Sequence, residues 1–185
     1  MRKNIVLVLL LSLPMALFCQ HHGLTHNVEI NAGYAQNGKN KGSSLNAKYA
    51  VGAFNHLDFV SSISHSHGLD TKTHVHVWDQ YSCDAIELGI RGYLDFLKIC
   101  SLKVEARGGA LWLQKMDYIS DLGLDYDYPS TFYVYRFCAS GQAEFDVRLT
   151  PVFSMGVYAG KTWMIDDLCP FVLDRIGLSL CFQFQ

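Results

Sequence analysis

Arg175-Ile-Gly-Leu-Ser-Leu-Cys-Phe-Gln-Phe-Gln185 is the stretch of this 185-residue chain that decides the fold. Every second residue from Ile176 to Phe184 is apolar, whereas the residues between them are small or polar, and the charged Arg175 precedes them on the same face. Alternation with a period of two is typical of a β-strand, because successive side chains point to opposite faces. One face of this predicted strand is therefore apolar along its whole length.

Seven earlier segments repeat this pattern, and long helical periodicity is absent. The eight expected strands cover roughly residues 26–36, 44–54, 57–67, 82–93, 98–113, 132–149, 152–161 and 172–185. Each has one face without charged residues, and the charges collect on the opposite faces. These charged residues are Glu29, Glu87, Glu105, Glu144, Asp146, Lys48, Arg91, Lys103, Arg107, Arg136, Arg148 and Arg175. The pattern predicts an all-β protein, an eight-stranded antiparallel up-and-down β-barrel.

Alternation alone does not tell the inside of a barrel from the outside. A transmembrane barrel turns its apolar faces to lipid and its charges inward. A soluble lipocalin-like binding barrel has the reverse polarity, so its apolar faces line a ligand pocket. The chain has 17% charged and 13% aromatic residues, which is a balance typical of a lipid-facing barrel.

The spacing of Arg175, Gly177, Leu180 and Phe182 resembles the C-terminal insertion signal of Gram-negative outer-membrane barrels. Over residues 20–185 the chain resembles the small eight-stranded outer-membrane β-barrel superfamily. The resemblance implies a bacterial outer-membrane location, contact with outer-membrane lipid, and recognition of the last strand by the barrel-insertion machinery. It also implies that both termini are periplasmic, with outer loops at 37–43, 68–81, 114–131 and 162–171.

The first residues agree with export. Arg2 and Lys3 precede an apolar run, residues 5–18, which is too short to span a bilayer as a helix. We expect a signal peptide over 1–19, cleaved after Cys19, and a barrel domain over 20–185. The alternative is a lipoprotein signal with Cys19 lipidated, which the bulky Phe18 disfavours.

An eight-stranded barrel is only wide enough for its own side chains to fill it. We expect Glu87, Arg91, Glu105, Arg107, Glu144 and Arg148 to line a filled, ionic interior. Cysteines Cys83, Cys138 and Cys169 lie near the outer end, where either a disulfide or packed free thiols would fit.

The histidines are unevenly placed, since all eight precede residue 77. Two on each side of one loop, His65 and His67 before it and His74 and His76 after it, predict a Zn²⁺ or Cu²⁺ site if a tight hairpin pairs them. A register matched at the periplasmic end would instead place His74 and His76 in the loop. The alternative interpretation is ordinary exposed loop residues.

Composition and motifs narrow the range of functions that this chain can have. The chain has 15 basic and 17 acidic residues, which argues against a nucleic-acid partner. The His-x-Ser motif of lipid-modifying barrel enzymes is absent, because Ser66 follows His65 directly and points to the opposite face. We expect a non-enzymatic barrel with an envelope-structural or surface-interaction role, in which the outer loops contact a surface or envelope protein. The alternatives are a component of a secretion or conjugation apparatus, a lipid-modifying enzyme, and the lipocalin-like binding barrel.

Overall fold

The chain forms a closed barrel of eight antiparallel strands, each paired with its neighbours in sequence order. The computed structural model describes residues 25–38, 40–54, 56–69, 80–96, 99–119, 128–165 and 171–184. The strands are β1 (His26–Asn37), β2 (Asn40–Phe54), β3 (Leu57–Leu69), β4 (Gln80–Phe96), β5 (Cys100–Ile119), β6 (Tyr128–Thr150), β7 (Phe153–Met164) and β8 (Val172–Phe184). The predicted fold class and strand number are confirmed. The expected signal peptide lies outside the described residues and stays a prediction. In the described part of the chain, no helix is long and apolar enough to cross a membrane.

The barrel closes where β1 pairs with β8, with His26 opposite Phe184 at one end. We call this the terminal end and the opposite one the loop end. Along the seam Gly33 lies opposite Gly177, and a Cβ added to Gly33 would collide with the Ile176 carbonyl oxygen. Glycine is therefore required at Gly33 for the two backbones to approach this closely. The β2–β3, β4–β5 and β6–β7 connections, all at the terminal end, are two or three residues long, as the sequence predicted.

Two of the expected outer loops are shorter than predicted, because the strands on either side of them continue beyond their apolar faces. β1 and β2 pair as far as Asn37 and Asn40, so Gly38 and Lys39 alone connect them. Gly38 has a φ of +57°, which glycine adopts without strain. β5 and β6, with 20 and 23 residues, likewise replace most of the expected loop 114–131.

The β5–β6 hairpin reaches beyond its neighbour β7. β6 pairs with β7 only from Cys138 onward, opposite Met164. The preceding residues of β6, from Tyr128 to Arg136, pair with β5 from Ile119 back to Leu111. We call residues 111–119 and 128–136 the projecting hairpin.

The outer surface of the barrel is apolar. Large hydrophobic side chains remain exposed on all eight strands, and they include Leu45, Leu88, Val104, Val157 and Leu178. Aromatic pairs lie at both limits of this surface: Trp112 with Tyr135 toward the loop end and Phe153 with Phe182 toward the terminal end, each with ring centroids 5.0 Å apart. A continuous apolar surface of this kind suits lipid rather than water. The polarity is that of the membrane barrel and the reverse of the lipocalin-like alternative.

Candidate functional site

The middle of the barrel interior is filled by buried charges. Among the described residues, six carboxylates and five cations lie on the inner faces with almost no solvent contact. They are Glu29, Asp58, Glu87, Glu105, Glu144 and Asp146 with Lys48, Arg91, Lys103, Arg107 and Arg175. We call this set the ionic core. Opposite charges are needed at such positions because an unpaired buried charge costs several kcal/mol.

Lys48 lies among three carboxylates of the ionic core. It is directly opposite Glu29 in the β1–β2 register, and its Nζ donates to Glu29. The same Nζ is 3.0 Å from Glu105 Oε1 and 3.4 Å from Glu144 Oε2. Glu29, Glu105 and Glu144 are close enough together to ligate a metal ion. Lys48, Arg91 and Lys103 each contact at least two of these carboxylates, so three positive charges already balance the three negative ones.

Arginine and a second lysine connect the rest of the ionic core. Arg91 Nη2 donates to Glu29 Oε2 at 2.7 Å, and Arg91 Nε donates to Glu105 Oε1 at 2.8 Å. Lys103 Nζ donates to Glu144 Oε1 at 3.1 Å and also contacts Asp146. These groups span the barrel from β1 to β6, so side chains rather than an open channel occupy its centre.

The set of residues that the sequence placed inside the barrel is wrong at both ends of the barrel. Glu87, Arg91, Glu105, Arg107 and Glu144 are buried as predicted. Arg148 has the inner-face parity but is exposed, because it lies at the terminal end beside a register shift between Arg148 and Thr150. Its backbone N–H donates to the Ile99 carbonyl at 2.7 Å.

Arg136 is exposed for the corresponding reason at the other end, since it lies on the projecting hairpin. The sequence reasoning also missed the carboxylate of Asp58, which is buried 4.0 Å from the Arg91 guanidinium. Its parity with the inward residues of β3 is the signal that was available.

Toward the loop end the interior becomes apolar, which the sequence reasoning did not foresee. The described residues of this apolar plug are Ala35, Tyr81, Cys83, Ala85, Leu111, Leu113, Cys138, Met164, Phe171 and Leu173. Tyr81 packs edge-on against Phe171, with ring centroids 5.7 Å apart. The ionic core and the plug share one strand parity, so reading the inner faces to the strand ends would have revealed the plug. Cys83 and Cys138 are buried free thiols in it, whereas Cys169 lies outside the described residues.

The predicted metal residues are only partly described. His65 and His67 point outward on β3, and their partners on β4 are Asp84 and Ser82. The tight-hairpin register that would place histidines at those two positions is therefore wrong. The β3–β4 pairing is the one matched at the terminal end, and His74 and His76 lie outside the described residues.

Both described histidines have polar partners on neighbouring strands. His65 Nδ1 is 2.8 Å from Asp84 Oδ1, and the two side chains are 52% and 59% exposed. His67 Nδ1 is 3.1 Å from Ser43 Oγ on β2. The hydroxyl and the carboxylate thus contact different rings, whereas a Ser–His–Asp triad needs one imidazole between them. We call His65, His67, Asp84 and Ser43 the outward polar cluster.

A closed eight-stranded barrel with an apolar outside and an ionic inside is an architecture that this chain shares with several small outer-membrane proteins. Neisserial surface protein A has the same fold, with 11% sequence identity, a TM-score of 0.59, and coverage of 88% of this chain and 97% of that chain. The attachment invasion locus protein Ail of Yersinia pestis is similar at 12% identity and a TM-score of 0.54, covering 86% of this chain and 98% of its own. A major outer membrane protein from Thermus thermophilus matches at 12% identity and a TM-score of 0.57, covering 88% of this chain and 100% of that chain.

No protein-family model matches the chain, and no curated protein matches it in sequence. The similarity to the three barrels is therefore one of fold.

Proposed function

We propose that this protein is an integral outer-membrane barrel with both termini in the periplasm and a non-catalytic role at the cell surface. The apolar outer face supports residence in lipid, and the short connections at the terminal end support the orientation. The aromatic last strand, which ends with Phe182 and Phe184 facing outward, supports recognition by the barrel-insertion machinery.

The projecting hairpin carries the surface-interaction part of the proposal. Its β6 arm, residues 128–136, extends beyond the end of β7, and residues 117–119 of β5 extend beyond Gln80, where the described part of β4 begins. We place the contact with a partner on this extension. Tyr133 is 77% exposed there and Phe137, at its base, is 71% exposed. Aromatic residues, especially tyrosine, are enriched where proteins bind one another.

The charge of the hairpin indicates the type of partner. The paired arms hold Asp117 with Lys115 and Arg136, whereas the connecting segment, residues 120–127, holds three aspartates and no basic residue. The acidic surplus of this region therefore comes from the connecting segment. Ail was solved in complex with the heparin analogue sucrose octasulfate, which is a polyanion. An acidic connecting segment repels such a ligand, so we propose a neutral or basic protein surface as the partner.

A trimmed hairpin tests this function. Residues 117–130 are replaced by Asn-Gly, which forms a two-residue turn between the paired Met116 and Thr131. A second variant keeps both strands and replaces only residues 120–127 with Gly–Ser repeats, which removes three aspartates and so tests the charge argument separately. Intact cells carrying each form are treated with an amine-reactive crosslinker, and adducts of the barrel are separated by mass.

We expect adducts with the wild type and their loss in both variants, while all three forms keep the heat-dependent migration of a folded barrel. Retention of every adduct after trimming would show that the hairpin is not the interaction surface. Binding of the wild type to heparin-coated beads that is lost on trimming would contradict the charge argument.

A further inference from the structure

We propose that the Nε2 atoms of His65 and His67 form a binding site for a late divalent transition metal such as Zn²⁺, and that Asp84 and Ser43 orient the two rings. This site uses only residues of the outward polar cluster. It does not depend on His74 or His76.

The spacing of the two histidines suits a shared metal. They are two residues apart on β3 and both point outward, and their rings are stacked with centroids 6.2 Å apart and planes 27° apart. With a Zn–N distance of about 2 Å, a tetrahedral metal holds two imidazole centroids about 5 Å apart. The observed centroid separation is about 1 Å wider than this, so rotation of both side chains about their χ angles directs the two nitrogens to one ion.

The hydrogen-bond partners of both rings contact Nδ1 and leave Nε2 available for a metal. A carboxylate only accepts hydrogen bonds, so the 2.8 Å contact with Asp84 places the proton of a neutral His65 on Nδ1. Nε2 of His65 then carries no proton, and its lone pair can bind a metal. Ser43 Oγ lies 3.1 Å from Nδ1 of His67, and because a hydroxyl can accept as well as donate, it accommodates the tautomer that leaves the second Nε2 free for a metal. A carboxylate or hydroxyl behind a ligating imidazole fixes the tautomer and raises the basicity of the ligand nitrogen.

The cluster lies where a hydrated ion can reach it. The next outward pair toward the terminal end is Ile63 with Ile86, which belongs to the apolar surface. The next pair toward the loop end is His67 with Ser82. His65 and Asp84 are more than half exposed. The site thus lies at the boundary between the apolar surface and the polar loop end, and water completes the coordination of the ion.

Imidazole nitrogen selects the class of metal. Neutral nitrogen ligands suit Zn²⁺ and Cu²⁺, whereas Ca²⁺ and Mg²⁺ prefer oxygen. A partner carboxylate at Asp84 adds negative charge next to the ion without occupying the site. Sequence reasoning missed Asp84 because only the β3–β4 register brings it opposite His65.

Calorimetric titration of the refolded full-length barrel with Zn²⁺ tests the site. We expect binding to be abolished in the H65A/H67A variant and to be retained in H74A/H76A and in H56N, which removes an exposed histidine of the β2–β3 turn. Loss of the orienting carboxylate in D84N should weaken binding by about 10- to 100-fold. Heat-dependent migration of each variant on gels verifies that the barrel is folded.

A second measurement reports the ligating atoms. In ¹⁵N spectra of labelled protein, Zn²⁺ should shift the Nε2 resonances of two histidines more strongly than their Nδ1 resonances. Equal heats for the wild type and H65A/H67A would overturn the proposal, as would a loss of heat confined to H74A/H76A. Unchanged affinity in D84N would overturn the role of Asp84.

Discussion

Replacement of Lys48 by methionine is the most direct test of the ionic core. The change keeps an unbranched side chain as far as Cε but removes the ammonium group that contacts Glu29, Glu105 and Glu144. At 3.0 Å, the distance to Glu105, one unit-charge pair is worth about 5.5 kcal/mol at an effective dielectric constant of about 20. Neighbouring Arg91 and Lys103 compensate part of this loss, because both already contact Glu29.

We therefore expect Lys48→Met to reduce the free energy of unfolding by about 3 kcal/mol, at the lower end of the range for a broken buried ion pair. The assay is urea unfolding of the refolded barrel in lipid vesicles, followed by tryptophan fluorescence. The double variant E29Q/K48M removes the opposing cross-strand charge as well, and it should recover at least half of the lost stability.

Lys161→Met is the matched control. Lys161 also forms a cross-strand pair, with Asp174 at 3.1 Å, but these side chains are 44% and 58% exposed. An exposed pair contributes less than about 1 kcal/mol. If Lys48→Met cost no more than Lys161→Met, or if E29Q/K48M were less stable than either single variant, the interior would not depend on charge pairing.

Three further predictions concern insertion, packing and permeability. Deletion of 182–185 removes the Phe153–Phe182 contact and the His26–Phe184 pair that closes the barrel, so we expect the protein to be lost from the carbonate-resistant membrane fraction; full retention there would contradict a closing role for these residues. Gly68→Val should lower the unfolding free energy by about 1–3 kcal/mol in the urea assay, because a Cβ at Gly68 collides with the Tyr81 ring. The control Gly108→Ala, whose added Cβ has its nearest contact at 3.6 Å, should leave the unfolding free energy almost unchanged. In planar bilayers the wild type should show no solute-sized conductance, since the ionic core and the apolar plug occupy the lumen, and steady channel openings would refute a filled interior.

Strand count and face polarity were predictable because each strand obeys a local rule. From Ile176 to Phe184 the period of two specifies a strand and its apolar face, and the same parity predicted that Glu105 and Arg107 point inward. The C-terminal aromatic pattern then indicated the membrane version of the barrel. None of these inferences depends on which residues of neighbouring strands are paired.

Partner choice within the barrel was not predictable from parity. Lys48 on β2 contacts Glu105 on β5 and Glu144 on β6, and contacts between strands so far apart in order exist only after the sheet has closed. The prediction that Arg148 is buried was also wrong. Strand parity gives the face to which a side chain points, but it does not give the position along the strand at which the barrel interior opens to water.

The sequence by itself determined eight alternating strands and the lipid-facing polarity, since these depend on the pattern of each strand alone. Tertiary structure decided the length of the projecting hairpin, the partners inside the ionic core, and the register that places Asp84 beside His65. The physical reason is that a one-sided strand fixes its own face locally, whereas register and cross-barrel contacts come from the hydrogen-bonded closure of the whole sheet.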